Sequence, residues 1–134
     1  TKELFKTAKG KYVAPAPIES LLLANPMIEQ AMVSGVGQPA AYALVVLAEE
    51  LRPRTGDPAV RAQVEQALGA LLKQVNAQVA DYERLQMIVI AREPWTIENG
   101  RLTPTMKIKR SRIEEGAAPD VAAWYAASKP VVWS

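Results

Sequence analysis

The chain has 134 residues, 49% hydrophobic and 22% charged, a balance that fits one globular domain with a core and excludes extended disorder. Its 16 basic and 14 acidic residues are mixed along the chain, so the net charge of +2 implies no long-range attraction to nucleic acid or anionic lipid. The absence of cysteine and histidine excludes disulfides, thiolate nucleophiles, Ser-His-Asp triads and the usual zinc sites, leaving chemistry to lysine, arginine, carboxylates and backbone amides.

Thr1-Lys2-Glu3-Leu4-Phe5-Lys6 has no initiator methionine and enters at once into a strand-like alternation, which reads as the cut end of a longer polypeptide. No apolar run approaches the roughly 20 residues that span a bilayer, and no signal-peptide core is present, so the expected location is cytoplasmic. Leu4–Lys6 and Tyr12–Val13 read as two short strands joined by a basic loop, Thr7-Ala8-Lys9-Gly10-Lys11, in which Gly10 permits positive φ. Pro15 and Pro17 disfavour helix at the residue before each, so the first helix is predicted from Ile18, with Pro17 in its first turn, to about Asn25-Pro26.

Met27–Ser34 alternates loosely, and Tyr42–Leu47 is an unbroken apolar run that predicts a central strand. Asp57-Pro58 supplies a cap and a first-turn proline for a helix whose Val60, Val64, Leu68, Leu72, Val75 and Val79 share one face. Met87–Ile90 predicts a buried strand and Pro94–Gly100 an irregular turn. Helix is predicted from Arg112, broken at Gly116–Pro119, and again over Val121–Ala127. The whole predicts an α+β domain, a small mixed sheet covered by one long and several short helices.

Two segments carry a resemblance. Lys2–Glu19, with Lys9-Gly10-Lys11-Tyr12-Val13-Ala14-Pro15 at its heart, resembles the opening of the C-terminal domain of adenylate-forming enzymes, which include acyl-CoA synthetases, luciferases and peptide-synthetase adenylation domains. Roughly ninety residues later, Asn99-Gly100-Arg101-Leu102-Thr103-Pro104-Thr105-Met106-Lys107-Ile108-Lys109-Arg110 resembles that domain's closing motif, in the Leu-Thr-Pro-Thr form usual in long-chain members. Relatives outside the long-chain group usually have glycine where Met106 stands. Lys129-Pro130-Val131-Val132-Trp133 adds a weaker likeness.

The resemblance implies one lid domain over 1–134, a small mixed sheet with an N-terminal β-hairpin flanked by helices, the large ATP- and acyl-binding domain being absent from this chain. It implies an ATP-dependent long-chain fatty-acyl-CoA ligase: a carboxylate attacks the ATP α-phosphate to give acyl-adenylate and pyrophosphate, and coenzyme A then displaces AMP. A cation is needed where charge spreads over the transferring group, and a lysine on a loop can supply it. By its place in the motif that lysine is Lys107. Lys2 matches the hinge about which the domain rotates, and Lys9, Gly10 and Lys11 match the loop that lines the pantetheine channel. ATP, Mg2+ and CoA are expected to bind mainly on the absent domain, with no metal held by this chain and negligible turnover by the isolated domain. Peripheral membrane association of the parent is left open.

Without the resemblance, the five basic residues from Arg101 to Arg112 read as a solvated face or a patch for RNA or an acidic partner, Gly10 as a turn glycine and Lys2 as an exposed end. An aryl-CoA or other adenylating ligase is the alternative within the enzyme class. Trp95, Trp124, Trp133, Tyr42, Tyr82 and Tyr125 are scattered and read as core. The pairs Glu49-Glu50 and Glu114-Glu115 read as surface charge.

Overall fold

Residues 3–134 are described by a computed structural model, in which the apolar runs become strands and the helical spacings become helices. In chain order these are β1 (Phe5–Lys6), β2 (Tyr12–Val13), α1 (Pro15–Leu23), β3 (Ile28–Ser34), β4 (Ala41–Leu47), α2 (Pro58–Asn76), β5 (Leu85–Ile90), α3 (Arg110–Ala117), α4 (Val121–Ala127) and β6 (Val131–Trp133). β1 and β2 form a separate antiparallel hairpin. The other four strands form a mixed sheet in the order β3-β4-β5-β6, antiparallel between β3 and β4 and parallel thereafter.

Every residue of β4 is buried, because its sheet is covered on both faces. Ala31, Val33, Ala43, Val45, Ile88 and Ile90 face α1, α2 and the β1–β2 hairpin, where Phe5, Val13, Ile18, Leu22, Val64 and Leu68 complete one core. Met32, Tyr42, Leu44, Val46, Met87 and Val89 face the other way, onto Trp95, Leu102, Ile113 and Trp124. The period of two along each strand thus divides its side chains between two cores. Each buried Val, Leu or Ile contributes roughly 1.5–3 kcal/mol relative to exposure.

α2 begins where Asp57 accepts a hydrogen bond from the Ala59 amide at 2.9 Å. Its end is registered on the sheet by Asn76, whose amide donates to the Leu85 carbonyl at 3.0 Å and accepts from the Leu85 amide at 2.8 Å. The hairpin lies on the β3–β4 turn through Ala8 N–H to Gln38 O (2.9 Å) and Gly37 N–H to Lys6 O (3.1 Å). Gly35 makes this approach possible: with φ at 154°, a Cβ there would lie 2.8 Å from Ala41 Cα and 3.2 Å from the Phe5 ring.

Several elements differ from expectation, among them α2, which ends at Asn76 and leaves Val79 beyond the helix. α1 starts at Pro15 rather than Ile18, because proline in the first turn gives up no intrahelical bond and tolerance there outweighs the restriction on Ala16. α3 starts at Arg110 and runs through Gly116. β6 arises in the segment noted only for its weak likeness. Of the aromatic residues expected in the core, Tyr82 is instead exposed.

Candidate functional site

Lys107 stands on a small hairpin built by the Asn99–Lys109 segment. Leu102 and Ile108 form an isolated antiparallel bridge, and Lys109 N–H donates to Arg101 O at 2.8 Å. The turn between them is closed by Thr103 N–H to Lys107 O (2.8 Å), Met106 N–H to Thr103 O (2.8 Å) and Lys107 N–H to the Thr103 hydroxyl (3.1 Å). Leu102 is buried and roots the hairpin in the core under α3 and α4. Asn99 braces its entry by accepting from Thr96 N–H at 3.0 Å and donating to Pro94 O at 2.9 Å. The backbone is therefore fixed while the Lys107 side chain is exposed and, among the described residues, has no carboxylate partner. Met106, next to it, has φ of 69° and a side chain 65% exposed.

The loop at Lys9, Gly10 and Lys11 is also a tied turn with exposed side chains. Thr7 N–H donates to Lys11 O at 2.9 Å, and Gly10 N–H to Thr7 O at 3.0 Å. Gly10 has φ of 79°, and a Cβ there would find nothing nearer than Lys6 Cε at 4.0 Å. Conformation rather than crowding therefore calls for glycine, and the space over its backbone is open to a ligand. Lys11 Nζ lies 5.8 Å from the centre of the Tyr82 ring.

These two loops are rooted in different cores. Phe5 and Val13, at the base of the Gly10 loop, pack with α1 and α2; Leu102 and Ile108, at the base of the Lys107 loop, pack with α3 and α4 on the opposite face of the sheet. Among the described residues no hydrogen bond or ion pair joins them. Lys2, the expected hinge, lies outside the described residues.

The sequence reading missed Arg110, three residues beyond Lys107. Its guanidinium donates to Glu19 through Nη1 (2.6 Å) and Nη2 (3.2 Å), to Val33 O through Nη1 (3.1 Å) and to Glu3 through Nε (2.5 Å). Glu19 in turn accepts the Val33 amide proton at 2.8 Å. Val33 sits on the outer strand of the sheet, so Glu19 and Arg110 together satisfy the N–H and C=O that its free edge would leave unpaired. Burial alone would lower the Arg110 pKa, but the hydrogen bonds and charges of Glu19 and then Glu3 outweigh it and raise it. A signal was present in the sequence, since Glu19 shares the buried side of α1 with Ile18 and Leu22.

The rest of the basic run is dispersed. Arg101 lies over Gly116, where a Cβ would come within 2.6 Å of its Nη2, and Arg110 is held by carboxylates. Lys107, Lys109 and Arg112 remain exposed, too few to favour a continuous phosphate-tracking stripe. Glu114, expected at the surface, accepts a 2.5 Å hydrogen bond from the buried Ser34 hydroxyl.

Comparison with known proteins bears on the family of the chain. Residues 3–129 match the family described as the AMP-binding enzyme C-terminal domain. A long-chain-fatty-acid–CoA ligase of Mycobacterium tuberculosis, FadD15, is 35% identical over 92% of the chain. The peroxisomal long chain acyl-CoA synthetase 7 of Arabidopsis thaliana is 30% identical over 97% of it. The chain spans 23% and 21% of these relatives' lengths. Among solved structures, the adenylation domain of a carboxylate reductase from Mycobacterium chelonae superposes with a TM-score of 0.77 at 26% identity, covering 92% of this chain and 19% of that one. An adenylation–carrier didomain of a carboxylic acid reductase from Segniliparus rugosus, in complex with AMP, gives 0.75 at 28% identity over 94% of this chain and 18% of that one. By its matched residues and its superposition on solved adenylation domains, the chain belongs to the AMP-binding enzyme C-terminal domain family.

Proposed function

We propose that this chain is the moving domain of an ATP-dependent long-chain fatty-acyl-CoA ligase, with Lys107 serving adenylation and the Lys9-Gly10-Lys11 loop serving thioester formation. The observation that carries the reading is the rooting of the two loops in cores on opposite faces of one sheet. A substrate site shared with another domain faces only one side of this sheet at a time, so a rotation is what brings the second loop to it. Lys2, at the entry to the domain, is the proposed pivot.

In the first step the Lys107 ammonium, on a backbone fixed by its turn, approaches the acyl carboxylate and the α-phosphate. There it offsets negative charge as the acyl–phosphate bond forms and pyrophosphate leaves. An ammonium with no carboxylate partner among the described residues has no such ion pair to break before it engages the substrate. After rotation the open backbone at Gly10 lets a slender thiol-bearing arm pass close, and Lys9 and Lys11 supply positive charge for coenzyme A phosphates. A magnesium ion accompanying ATP would take its protein ligands mainly from another part of the polypeptide. The names of the relatives support a fatty-acid substrate in preference to an aryl acid.

The test compares the full polypeptide with its Lys107→Ala variant. Fatty-acid-dependent pyrophosphate release is expected to fall about 100- to 1,000-fold, as when one charge-stabilising group is removed, while thioester formation from supplied acyl-adenylate stays within about 3-fold. Survival of both steps would remove Lys107 from the reaction. Appreciable ligation by the 134-residue domain alone would overturn its role as a dependent, moving part.

A further inference from the structure

The segment by which the chain enters the domain and the hairpin that carries Lys107 face each other across a cleft of about 600 Å³, with Glu3, Leu4 and Phe5 lining one side and Thr103, Ile108 and Lys109 the other. Arg110, which also lines this cleft, touches both sides. It opens α3 directly after the Lys107 hairpin, and its Nε reaches Glu3, 107 residues away in sequence. Its other nitrogens are committed to Glu19 on α1 and to the Val33 carbonyl on β3. The arginine side chain is 17% exposed and that of Glu19 11%, whereas that of Glu3 is 66% exposed. The guanidinium is thus fixed to the body of the domain by two partners and holds the entering segment with the third.

From this geometry we infer that Arg110 and Glu3 are positioning residues for the proposed adenylation step. By tying Glu3 to the base of the Lys107 hairpin, they join the segment that follows the proposed pivot and the reactive lysine in one rigid lever. The inference rests on the proposed rotation and adds the group that transmits it. A single side chain that must meet an α-phosphate needs placement to a fraction of an ångström. If Glu3 is released, the point of bending is free to spread into the residues after it and Lys107 arrives in a range of positions. The Gly10 loop does not depend on this tie, because its hairpin is held separately by the β1–β2 ladder and by the Gly37 and Gln38 backbone. The two half-reactions should therefore respond unequally.

In the full polypeptide, Glu3→Gln removes the charge and keeps the shape. The expected result is a fall of about 3- to 10-fold in the rate of fatty-acid-dependent pyrophosphate release, with thioester formation from supplied acyl-adenylate within about 2-fold of wild type. Glu3→Asp, which keeps the charge, should recover most of the loss. Because Glu3 is exposed, its removal should leave the thermal midpoint nearly unchanged. Equal loss of both half-reactions with a lowered midpoint would mean that the ion pair only stabilises the fold, and unchanged kinetics in both would mean that it transmits nothing. Either outcome overturns the inference. A wild-type protein lacking both half-reactions would instead refute the proposed function itself.

Discussion

Met106 holds a left-handed backbone without being glycine, at φ of 69° and with its side chain 65% exposed. Such a conformation costs a residue with a Cβ about 1–2 kcal/mol, and glycine's greater freedom in the unfolded chain gives back roughly 0.5–1 of that. Met106→Gly is therefore expected to raise the urea unfolding free energy by up to about 1 kcal/mol. A fall would show that the methionine makes stabilising contacts that outweigh the strain. At this scale the sequence was informative in part. Lys107 could be picked out because its identity and its neighbours form a motif, whereas Arg110 took its meaning from Glu19 and Glu3, 91 and 107 residues away, which no local pattern connects. Glu114 was misread for the same reason, since its partner Ser34 lies 80 residues away.

Strong periodicity fixed the long elements, and weak or brief patterns misled. α2 was legible from its cap and apolar stripe, and β4 and β5 from unbroken apolar runs. β6 has three residues, too few for any period to be read, and exists because β5 offers it an edge. The seam between β4 and α4 was foreseen only as scattered aromatic residues. There Tyr42 meets Trp124 and Tyr125 edge-on, with ring centres 5.7 and 6.2 Å apart, and the Tyr125 hydroxyl donates to Ala40 O at 2.5 Å. Burial, and then the charge of Glu114, push the Tyr42 hydroxyl from 10.0 up to about 12, although its hydrogen bond with Ser34 opposes them. The folded state thus holds this proton more tightly than the unfolded chain. The corresponding stability is complete below pH 10 and is lost as pH rises from 10 through about 12. Unfolding free energies measured across that alkaline range should decline less steeply in Tyr42→Phe than in wild type; an unchanged slope would show that Tyr42 does not titrate on unfolding.

Across the whole molecule, the division into two cores does more than stabilise. It gives each candidate loop its own foundation, so a change under one need not disturb the other. The last strand, β6, shows how little chain covers one side of the sheet. It hydrogen-bonds along Ile88–Ile90, sends Val131 into the core, and lays Trp133 under Arg61 at 4.0 Å with its indole N–H on Glu65 at 2.7 Å. All of this lies past residue 129, where the family match ends. A domain trimmed at that boundary would bare the outer edge of β5, whose buried valine and isoleucines form an uncharged strand ready to pair with another copy. The apparent mass from light scattering should then rise with concentration for the trimmed chain and stay constant for the 134-residue one, and equal apparent masses would show that the edge is protected in another way. Three residues of little local character would thus be what keeps neighbouring copies from growing onto one another's sheets.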